Sequence, residues 1–193
     1  MKQQLIAQSI ELFEKNGFTA TSIQHIVDAL QVSKGTFYYY FSSKEQLLME
    51  IHDDYISDLL DRQQVALAQS KSNREKLQAI VSLLIHDIEQ YGAAGRVFFR
   101  EIRHLDALHA DEIRKKRDTF RKRIAQVIQN GMDSGEFREH LNADILSLAV
   151  LGITNWSYQW YQLDGELSPT KLAAIFVDFI LNGLLLHLKE VEQ

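Results

Sequence analysis

The apolar residues near the start of the chain recur with the spacing of an amphipathic helix. Ile6, Ile10 and Phe13 fall at i, i+4 and i+7, which is one face of a helix with about 3.6 residues per turn. Asn16-Gly17 follows, and glycine readily takes the left-handed conformation that ends a helix. The pattern therefore predicts a first helix over residues 3–16.

A second helix is predicted directly after this stop. Thr21 and Ser22 can cap its N-terminus, because their hydroxyls accept hydrogen bonds from the free backbone N–H groups of a first turn. A turn at Gln31-Val32 then ends the helix. The stripe that should face the core comprises Ile23, Ile26, Val27 and Leu30.

The third predicted helix is short, polar at its start and dense in aromatic residues. Ser33 can cap it, and the run FYYYF occupies residues 37–41. Isolated helices need about 12–15 residues in water, so this one must pack on its neighbours. Phe37 and Phe41 are expected in the core, whereas Tyr40 suits either the core or a DNA groove. A short helix braced in this way after a tight turn is typical of the helix-turn-helix units that enter the major groove of DNA.

Three segments of this region resemble the TetR family of bacterial transcriptional regulators: ELFEKNGF (11–18), TSIQHI (21–26) and VSKGTFYYYFSSKEQLL (32–48). The resemblance covers roughly residues 3–50 and implies a helix-turn-helix DNA-binding head over residues 1–46. It implies contacts to base edges and contacts to the DNA backbone that fix the register. The implied DNA-binding residues are Ser22, Gln24, Ser33, Lys34, Gly35, Thr36, Tyr38, Tyr39 and Lys44.

The charge of the chain gives no general signal for nucleic acid. The net charge is −5, and four lysines within residues 1–46 are balanced by four carboxylates. A DNA-binding domain is usually strongly basic. Binding is therefore expected to depend on helix N-termini, hydroxyl groups and a few lysines.

The composition favours an all-α protein. Hydrophobic residues make up 46% of the 193 positions, and a single proline, Pro169, leaves long helices uninterrupted. Cysteine is absent, which excludes a disulfide framework and a thiolate metal site. The first residues lack the apolar core of a signal peptide, and polar residues interrupt every long apolar stretch. A cytoplasmic location and no membrane association are expected.

The remaining residues, 47–193, are predicted to form a helical body, so that the chain has about nine helices in all. A polar loop at 69–73, the Gly92–Gly95 segment and a turn at 133–135 separate the helices, and Ser168-Pro169 begins the last one. Helices four to nine are predicted at about 43–69, 73–90, 96–108, 111–132, 143–162 and 169–189.

The last two helices are more apolar than a monomer requires. Reading a twofold operator takes two heads, so these helices are expected to pair with their symmetry mates in a homodimer. The alternative is that they only cover the core of one chain. The residues concerned are Leu146, Val150, Ile153, Leu172, Ile175, Phe176, Phe179, Ile180 and Leu184.

Wide aromatic residues with few charges predict a pocket for an apolar small molecule in the body. Ordinary core packing is the alternative for each of them. The motif FFREIRHL resembles regulators that sense acyl-CoA thioesters or lipid-like molecules. The predicted lining residues are Ile85, Ile88, Phe98, Phe99, Ile102, Trp156 and Trp160, with Arg103, Asn155 and Gln159 as polar anchors.

The run RKKRDTFRKR (114–123) contains seven basic residues and one acidic residue. A solvated helix face is one interpretation. Contact with the phosphates of a nucleotide-bearing ligand such as CoA, through charge-assisted hydrogen bonds, is a second. Contact with flanking DNA is a third, and the sequence leaves the three open.

The function predicted from these features is a ligand-responsive DNA-binding regulator, in the simplest case a repressor released from a palindromic operator by its effector. A regulator of drug efflux that senses cationic or aromatic compounds is an alternative, and it would need acidic groups in the pocket. A helical-bundle enzyme or carrier is disfavoured, because the sequence contains no HExxH pattern, Gly-rich phosphate loop or nucleophile elbow. Neither a cofactor nor a metal site is predicted.

Overall fold

The computed structural model describes residues 1–184, which form eight α-helices and one short 3₁₀ helix. No strand occurs within this range, in agreement with the all-α prediction. None of the described helices is long and apolar enough to cross a membrane. The elements are α1 Lys2–Asn16, α2 Ile23–Ala29, α3 Lys34–Tyr40, α4 Lys44–Gln69, α5 Asn73–Glu101, the 3₁₀ helix η1 Ile102–His104, α6 Ala107–Asp133, α7 Ala143–Trp160 and α8 Pro169–Leu184.

Side-chain caps define where the short helices begin. The Ser22 hydroxyl accepts from the backbone N–H of His25 at 3.1 Å, and the His25 ring accepts in return from the Ser22 N–H at 3.3 Å. Ser33 caps α3 by accepting from the N–H three residues further on, at 3.1 Å. Thr21, which the sequence also offered as a cap, is buried instead, and its hydroxyl donates to the carbonyl of Gly17. Ser22 alone therefore caps α2.

The predicted fifth and sixth helices form one helix, α5, with a kink at Tyr91. The backbone of Tyr91 is non-helical (φ −131°, ψ 20°), whereas the Gly92–Gly95 segment, predicted as a break, continues the helix. Both of its glycines are buried, and such packing outweighs the roughly 1 kcal/mol that glycine costs in a helix interior. The predicted nine helices therefore become eight within residues 1–184. The predicted end of the last helix, 185–189, lies outside the described residues.

The chain divides into two compact units. Unit 1 comprises Met1–Leu59 and Tyr91–Arg117, and unit 2 comprises Leu60–Gln90 and the described residues from 118 to 184. The helices α4, α5 and α6 each contribute one end to unit 1 and the other end to unit 2. A functional boundary at residue 46 stays a prediction.

The core of unit 1 is apolar and joins residues far apart in the sequence. Phe37 and Phe41 are almost fully buried in it, as expected from the sequence. Val97 of α5 is fully buried in the same cluster, and Leu105 packs against it. The helices α1 to α3 therefore rest partly on the segment that follows the kink in α5. Other members of the cluster are Leu5, Ile6, Phe13, Phe18, Ile26, Val27, Leu47, Leu48 and Ile51.

Candidate nucleic-acid interface and effector site

The helices α2 and α3 are joined by a tight turn that fixes the start of α3. Gln31 in this turn has a positive φ of 55°, and the N–H of Val32 donates to the carbonyl of Val27 at 2.9 Å. Phe37 then anchors α3 in the core, since its side chain is fully buried. The other side of α3 is left open to solvent.

The open side of α3 carries one lysine and two tyrosines. Tyr39 is 80% exposed and Tyr38 is 54% exposed. Lys34 and Gly35 are exposed at the helix start. Ammonium and phenol groups at such a surface can donate hydrogen bonds to phosphate oxygens or to base acceptors. Tyr40 is half-buried, and its ring meets that of Tyr39 edge-on at 4.8 Å.

Residues from three helices meet around one open cleft of about 430 Å³. Ser22 and Gln24 come from the start of α2, Lys34 and Tyr38 from α3, and Lys44 from α4. The fold thus brings together residues that the family resemblance assigns to DNA. The other predicted contact residues, Ser33, Gly35, Thr36 and Tyr39, lie on α3 or at its cap.

Two of these polar side chains also have partners close by in the chain. The amide nitrogen of Gln24 donates to the carboxylate of Asp28 at 2.6 Å. The hydroxyl of Thr36 lies 3.1 Å from that of Ser33. The bond to Asp28 uses one of the two N–H donors of the Gln24 amide.

Lys44 has a structural role that the sequence did not reveal. Its ammonium donates to the carbonyls of Phe18 and Thr21, both at 2.7 Å, and lies 4.2 Å from the centre of the Phe18 ring. Burial lowers the pKa of Lys44, an effect that Glu45 partly opposes. Two of its three N–H donors are therefore used within unit 1. A phosphate contact by the third donor stays a prediction.

The last turns of α5 are bonded to the end of α1 within unit 1. Arg96 Nε donates to Glu14 Oε1 at 2.6 Å. Arg100 donates to the carbonyls of Phe13 and Glu14, the latter at 2.9 Å. The C-terminal end of a helix has free carbonyls and a negative dipole end, which together favour a cation. Sequence analysis missed this link because nothing local marks contacts between residues 82 to 87 positions apart.

The predicted effector residues Phe98 and Phe99 belong to an aromatic cluster of unit 1. The buried ring of Phe98 lies 5.3 Å from that of His52, 4.8 Å from that of Tyr55 and 5.4 Å from that of Phe99. The guanidinium carbon of Arg117 lies 5.7 and 5.9 Å from the centres of the Phe98 and Phe99 rings. The cluster therefore combines an apolar wall with one cation.

The remaining predicted effector residues divide between the two units. In unit 1 they lie on η1: Ile102 and Arg103. In unit 2 they lie on α5 and α7: Ile85, Ile88, Asn155, Trp156, Gln159 and Trp160. The two isoleucines of unit 2 are buried, whereas Trp156 is 66% exposed and Trp160 46% exposed. Both tryptophans therefore lie on the surface of the single chain and not in its interior, and a role in effector binding stays a prediction.

Unit 2 contains a buried ion pair that sequence analysis missed. Asp87 is 1% exposed, its carboxylate pairs with the Arg62 guanidinium, and the Tyr158 hydroxyl donates to it at 2.5 Å. Glu101 of unit 1, the other buried acid of the described chain, pairs with Arg100 at 2.6 Å. Both carboxylates are thus neutralised within the protein, as buried charges generally are.

The helices α7 and α8 of unit 2 expose a broad apolar face. Ile145, Leu148 and Trp156 of α7 and Ile175 and Phe179 of α8 are each between 52% and 67% exposed. An apolar groove of about 350 Å³ lies on the same two helices. Its lining comprises Leu146, Ala149, Val150, Ile153, Phe179, Ile180, Asn182, Gly183 and Leu184.

The predicted dimer residues divide between this face and the core of unit 2. Ile175 and Phe179 are exposed, whereas three others are half-buried: Leu146, Ile153 and Phe176. Four are buried within the single chain: Val150, Leu172, Ile180 and Leu184. These four contribute to the core of the single chain, and all of them except Leu172 also line the groove.

Comparisons with known proteins agree with this geometry. Residues 5–51 match the family model described as bacterial regulatory proteins, tetR family, and residues 70–184 match the model described as tetracyclin repressor-like, C-terminal domain. The chain is 27% identical over 184 residues to the HTH-type transcriptional repressor KstR2 of Mycolicibacterium smegmatis, covering 95% of this chain and 90% of that protein.

Solved structures give the same fold. The ketosteroid transcriptional regulator KstR2 of Mycobacterium tuberculosis superposes with a TM-score of 0.89 at 22% identity, covering 96% of this chain and 95% of that one. AibR in complex with isovaleryl coenzyme A and operator DNA superposes with a TM-score of 0.85 at 18% identity, covering 92% and 96%. The family matches together confirm the resemblance carried by the first 50 residues, and the chain belongs to the tetR family of bacterial regulatory proteins.

Proposed function

We propose that this protein is a transcriptional repressor that binds a palindromic operator as a homodimer and leaves it when a largely apolar small molecule of the acyl-CoA or lipid-like type binds the C-terminal body. The observation that carries the proposal is α3, whose buried Phe37 supports an exposed Lys34 and Tyr39. Regulators of the tetR family bind operator DNA and act as dimers. A protein that binds chromosomal DNA in a bacterium acts in the cytoplasm.

The DNA contacts follow from the chemistry around the cleft between α2, α3 and α4. Lys34 is suited to guanine O6 or N7, and Gln24 to adenine. Ser22 and Tyr38, which line the same cleft, are suited to phosphates, which fix the register of the protein on the duplex. Because charges balance in residues 1–46, nonspecific attraction is weak, and affinity depends on these few directed contacts.

Dimerisation through α7 and α8 is supported by their exposed apolar side chains. Monomers rarely expose contiguous apolar patches of this kind, because burying them is favourable. A twofold pair of such helices forms a four-helix bundle and supplies two heads. The two copies of α3 then reach successive major grooves, about 34–36 Å apart.

The effector class is supported by the relatives and by the charges of the described residues. AibR was solved with isovaleryl coenzyme A, and KstR2 is described as a ketosteroid regulator. A cationic drug would need a buried acid to meet it, but Asp87 is paired with Arg62 and Glu101 with Arg100. This pairing favours an apolar or anionic effector over the cationic alternative.

Release follows from a two-state equilibrium. The helix α4 starts in unit 1 beside the cleft and ends in unit 2, and α5 ends in bonds to α1. An effector that prefers the conformation unable to bind DNA shifts the population toward it. Fewer dimers then hold their two heads at the spacing of the operator. The effector and the DNA then compete without sharing a site.

The test uses a labelled duplex that the wild-type protein selects from a random DNA library. Fluorescence anisotropy should show binding of the duplex and its release on addition of dodecanoyl-CoA or isovaleryl-CoA. CoA alone is the control, and a true effector also raises the thermal midpoint of the protein. If neither thioester changes the operator affinity or the thermal midpoint, the proposed effector class is refuted.

A further inference from the structure

The basic run 114–123 separates into paired residues and one exception. Arg114 and Lys115 pair with Asp111 at 3.1 and 2.8 Å, and Lys116 pairs with Asp53 at 2.5 Å. These pairs agree with the interpretation of the run as a solvated helix face.

At the other end of the run, two residues pair with a carboxylate and a third bonds to a backbone carbonyl. Arg121 and Lys122 both pair with Asp118, at 2.9 and 2.8 Å. Arg123 donates to the carbonyl of Leu60 at 2.8 Å. Arg117 is the exception among the described residues, since its guanidinium meets two aromatic rings and neither a carboxylate nor a backbone carbonyl.

The guanidinium of Arg117 is partly removed from water by the two rings that it contacts. The residue is exposed at one side, while its guanidinium lies over Phe98 and Phe99. Burial lowers the pKa of Arg117, and the neighbouring cation Arg114 lowers it further. A partly desolvated charge with no counter-charge is unfavourable unless a ligand supplies one.

The surroundings of Arg117 define the kind of ligand that suits it. Phe98 is almost fully buried, and the rings of His52, Tyr55 and Phe99 pack around it. Phe99 is half-buried, so a ligand beside the guanidinium meets the open part of this ring. Such a combination suits an anion attached to an apolar body, because the guanidinium fork binds carboxylates and phosphates in bidentate geometry.

We infer that Arg117 anchors the anionic group of the effector, a carboxylate or a phosphate, and that the half-buried Phe99 contacts the apolar portion next to it. The assignment rests on the proposed function, since it places an effector in this protein. It selects one of the seven basic residues of the run and predicts that the other six take no direct part in binding.

The test compares Arg117→Gln and Arg117→Lys with the matched control Arg114→Gln, whose side chain pairs on the surface with Asp111. Isothermal titration of the full-length proteins uses three probes that share one chain length: dodecanoyl-CoA, dodecanoate and uncharged dodecanol. Arg117→Gln should weaken the anionic probes at least tenfold and dodecanol less than twofold. The affinity of Arg117→Lys for the anionic probes should lie between those of wild type and Arg117→Gln, and the affinities of Arg114→Gln should match those of wild type.

The outcomes separate the possible anions and the possible failures. Loss confined to dodecanoyl-CoA identifies phosphate as the anion, and loss that includes dodecanoate identifies carboxylate. The assignment is overturned if wild type and Arg117→Gln bind the anionic probes with equal affinity. It is also overturned if Arg117→Gln loses as much affinity for dodecanol as for the anionic probes, because that result indicates a purely structural arginine. If wild type binds none of the three probes, the proposed effector class fails and the assignment fails with it.

Discussion

Arg96 and Glu14 lie 82 positions apart in the chain and form an ion pair, with Arg96 Nε 2.6 Å from Glu14 Oε1. One helical turn further along α5, Arg100 donates to the carbonyls that end α1. Val97, between the two arginines, is fully buried in the core of unit 1. The first helix of the DNA-binding head is therefore tied to the end of α5 by charge, hydrogen bonds and packing together.

Replacing Arg100 should loosen this tie. Arg100→Gln removes the donors to the α1 carbonyls and leaves the buried carboxylate of Glu101 without its closest partner. Hydrogen bonds to charged groups contribute about 1.5–3 kcal/mol, and partial exposure of Arg100 places the expected loss near 1–2 kcal/mol. Thermal melting should show a midpoint lower by several degrees.

The matched control for this change is Arg103→Gln, on the same segment but exposed. It should leave the midpoint within about a degree of wild type, because exposed substitutions usually cost less than about 0.5 kcal/mol. Equal midpoints for Arg100→Gln and Arg103→Gln would show that the bonds to α1 do not stabilise the head.

Lys34→Ala and Tyr39→Ala should weaken operator binding without unfolding the protein. Both side chains are exposed on α3, Tyr39 by 80%, so neither supports the core. Loss of a base contact costs about 1–3 kcal/mol, which corresponds to roughly a five- to 150-fold weaker affinity. Anisotropy with the selected duplex measures the affinity, and Lys15→Ala, an exposed lysine at the end of α1, is the charge-matched control. Retention of wild-type affinity by both α3 variants would contradict the assigned interface.

Stability should fall as the pH decreases below about 6.5 because of His52. Burial lowers the pKa of His52 from its ordinary 6.5. Hydrogen bonds to the backbone and the negative charge of Glu101 partly oppose this, and the positive charge of Arg117 lowers the pKa further. In that pH range the unfolded chain binds more protons at this position than the folded chain, so protonation favours unfolding. Urea unfolding should show that the free energy of unfolding falls more between pH 7.5 and pH 5.5 for wild type than for His52→Gln.

The exposed residue His140 provides the comparison for this measurement. His140→Gln should keep the wild-type pH dependence of the free energy of unfolding. If His52→Gln and His140→Gln respond alike, the buried imidazole is not the group responsible.

The apolar face of α7 and α8 should hold the dimer together. Ile175→Glu combined with Phe179→Glu places two charges where both side chains are more than half exposed in the single chain, so the fold should survive. Pairing of the two chains should not survive, because a charge buried at an interface is costly. Sedimentation should show a monomer, and operator affinity should fall at least tenfold. The control is Leu163→Glu, which is 50% exposed but lies outside these helices and should remain dimeric. A double variant at Ile175 and Phe179 that remains dimeric would exclude this face as the interface.

The sequence by itself determined the helices of the head and their exposed and buried sides. Caps such as Ser22 and Ser33, and the separation of buried Phe37 from exposed Tyr39, depend on interactions within a few residues. The 3.6-residue periodicity and cap chemistry of such segments can be read directly from the order of residues. For the same reason, α4 was predicted at about 43–69 and runs from Lys44 to Gln69.

The tertiary structure alone decided the features that join distant segments. Packing kept Gly92–Gly95 helical, and contacts across the chain assigned Lys44 to backbone carbonyls and Arg96 to Glu14. Trp156, an aromatic residue, proved to be exposed, and within the described chain Arg117 proved to contact aromatic rings and no carboxylate. Such outcomes depend on which side chains meet after the chain has folded, and local spacing carries no information about partners 80 positions away.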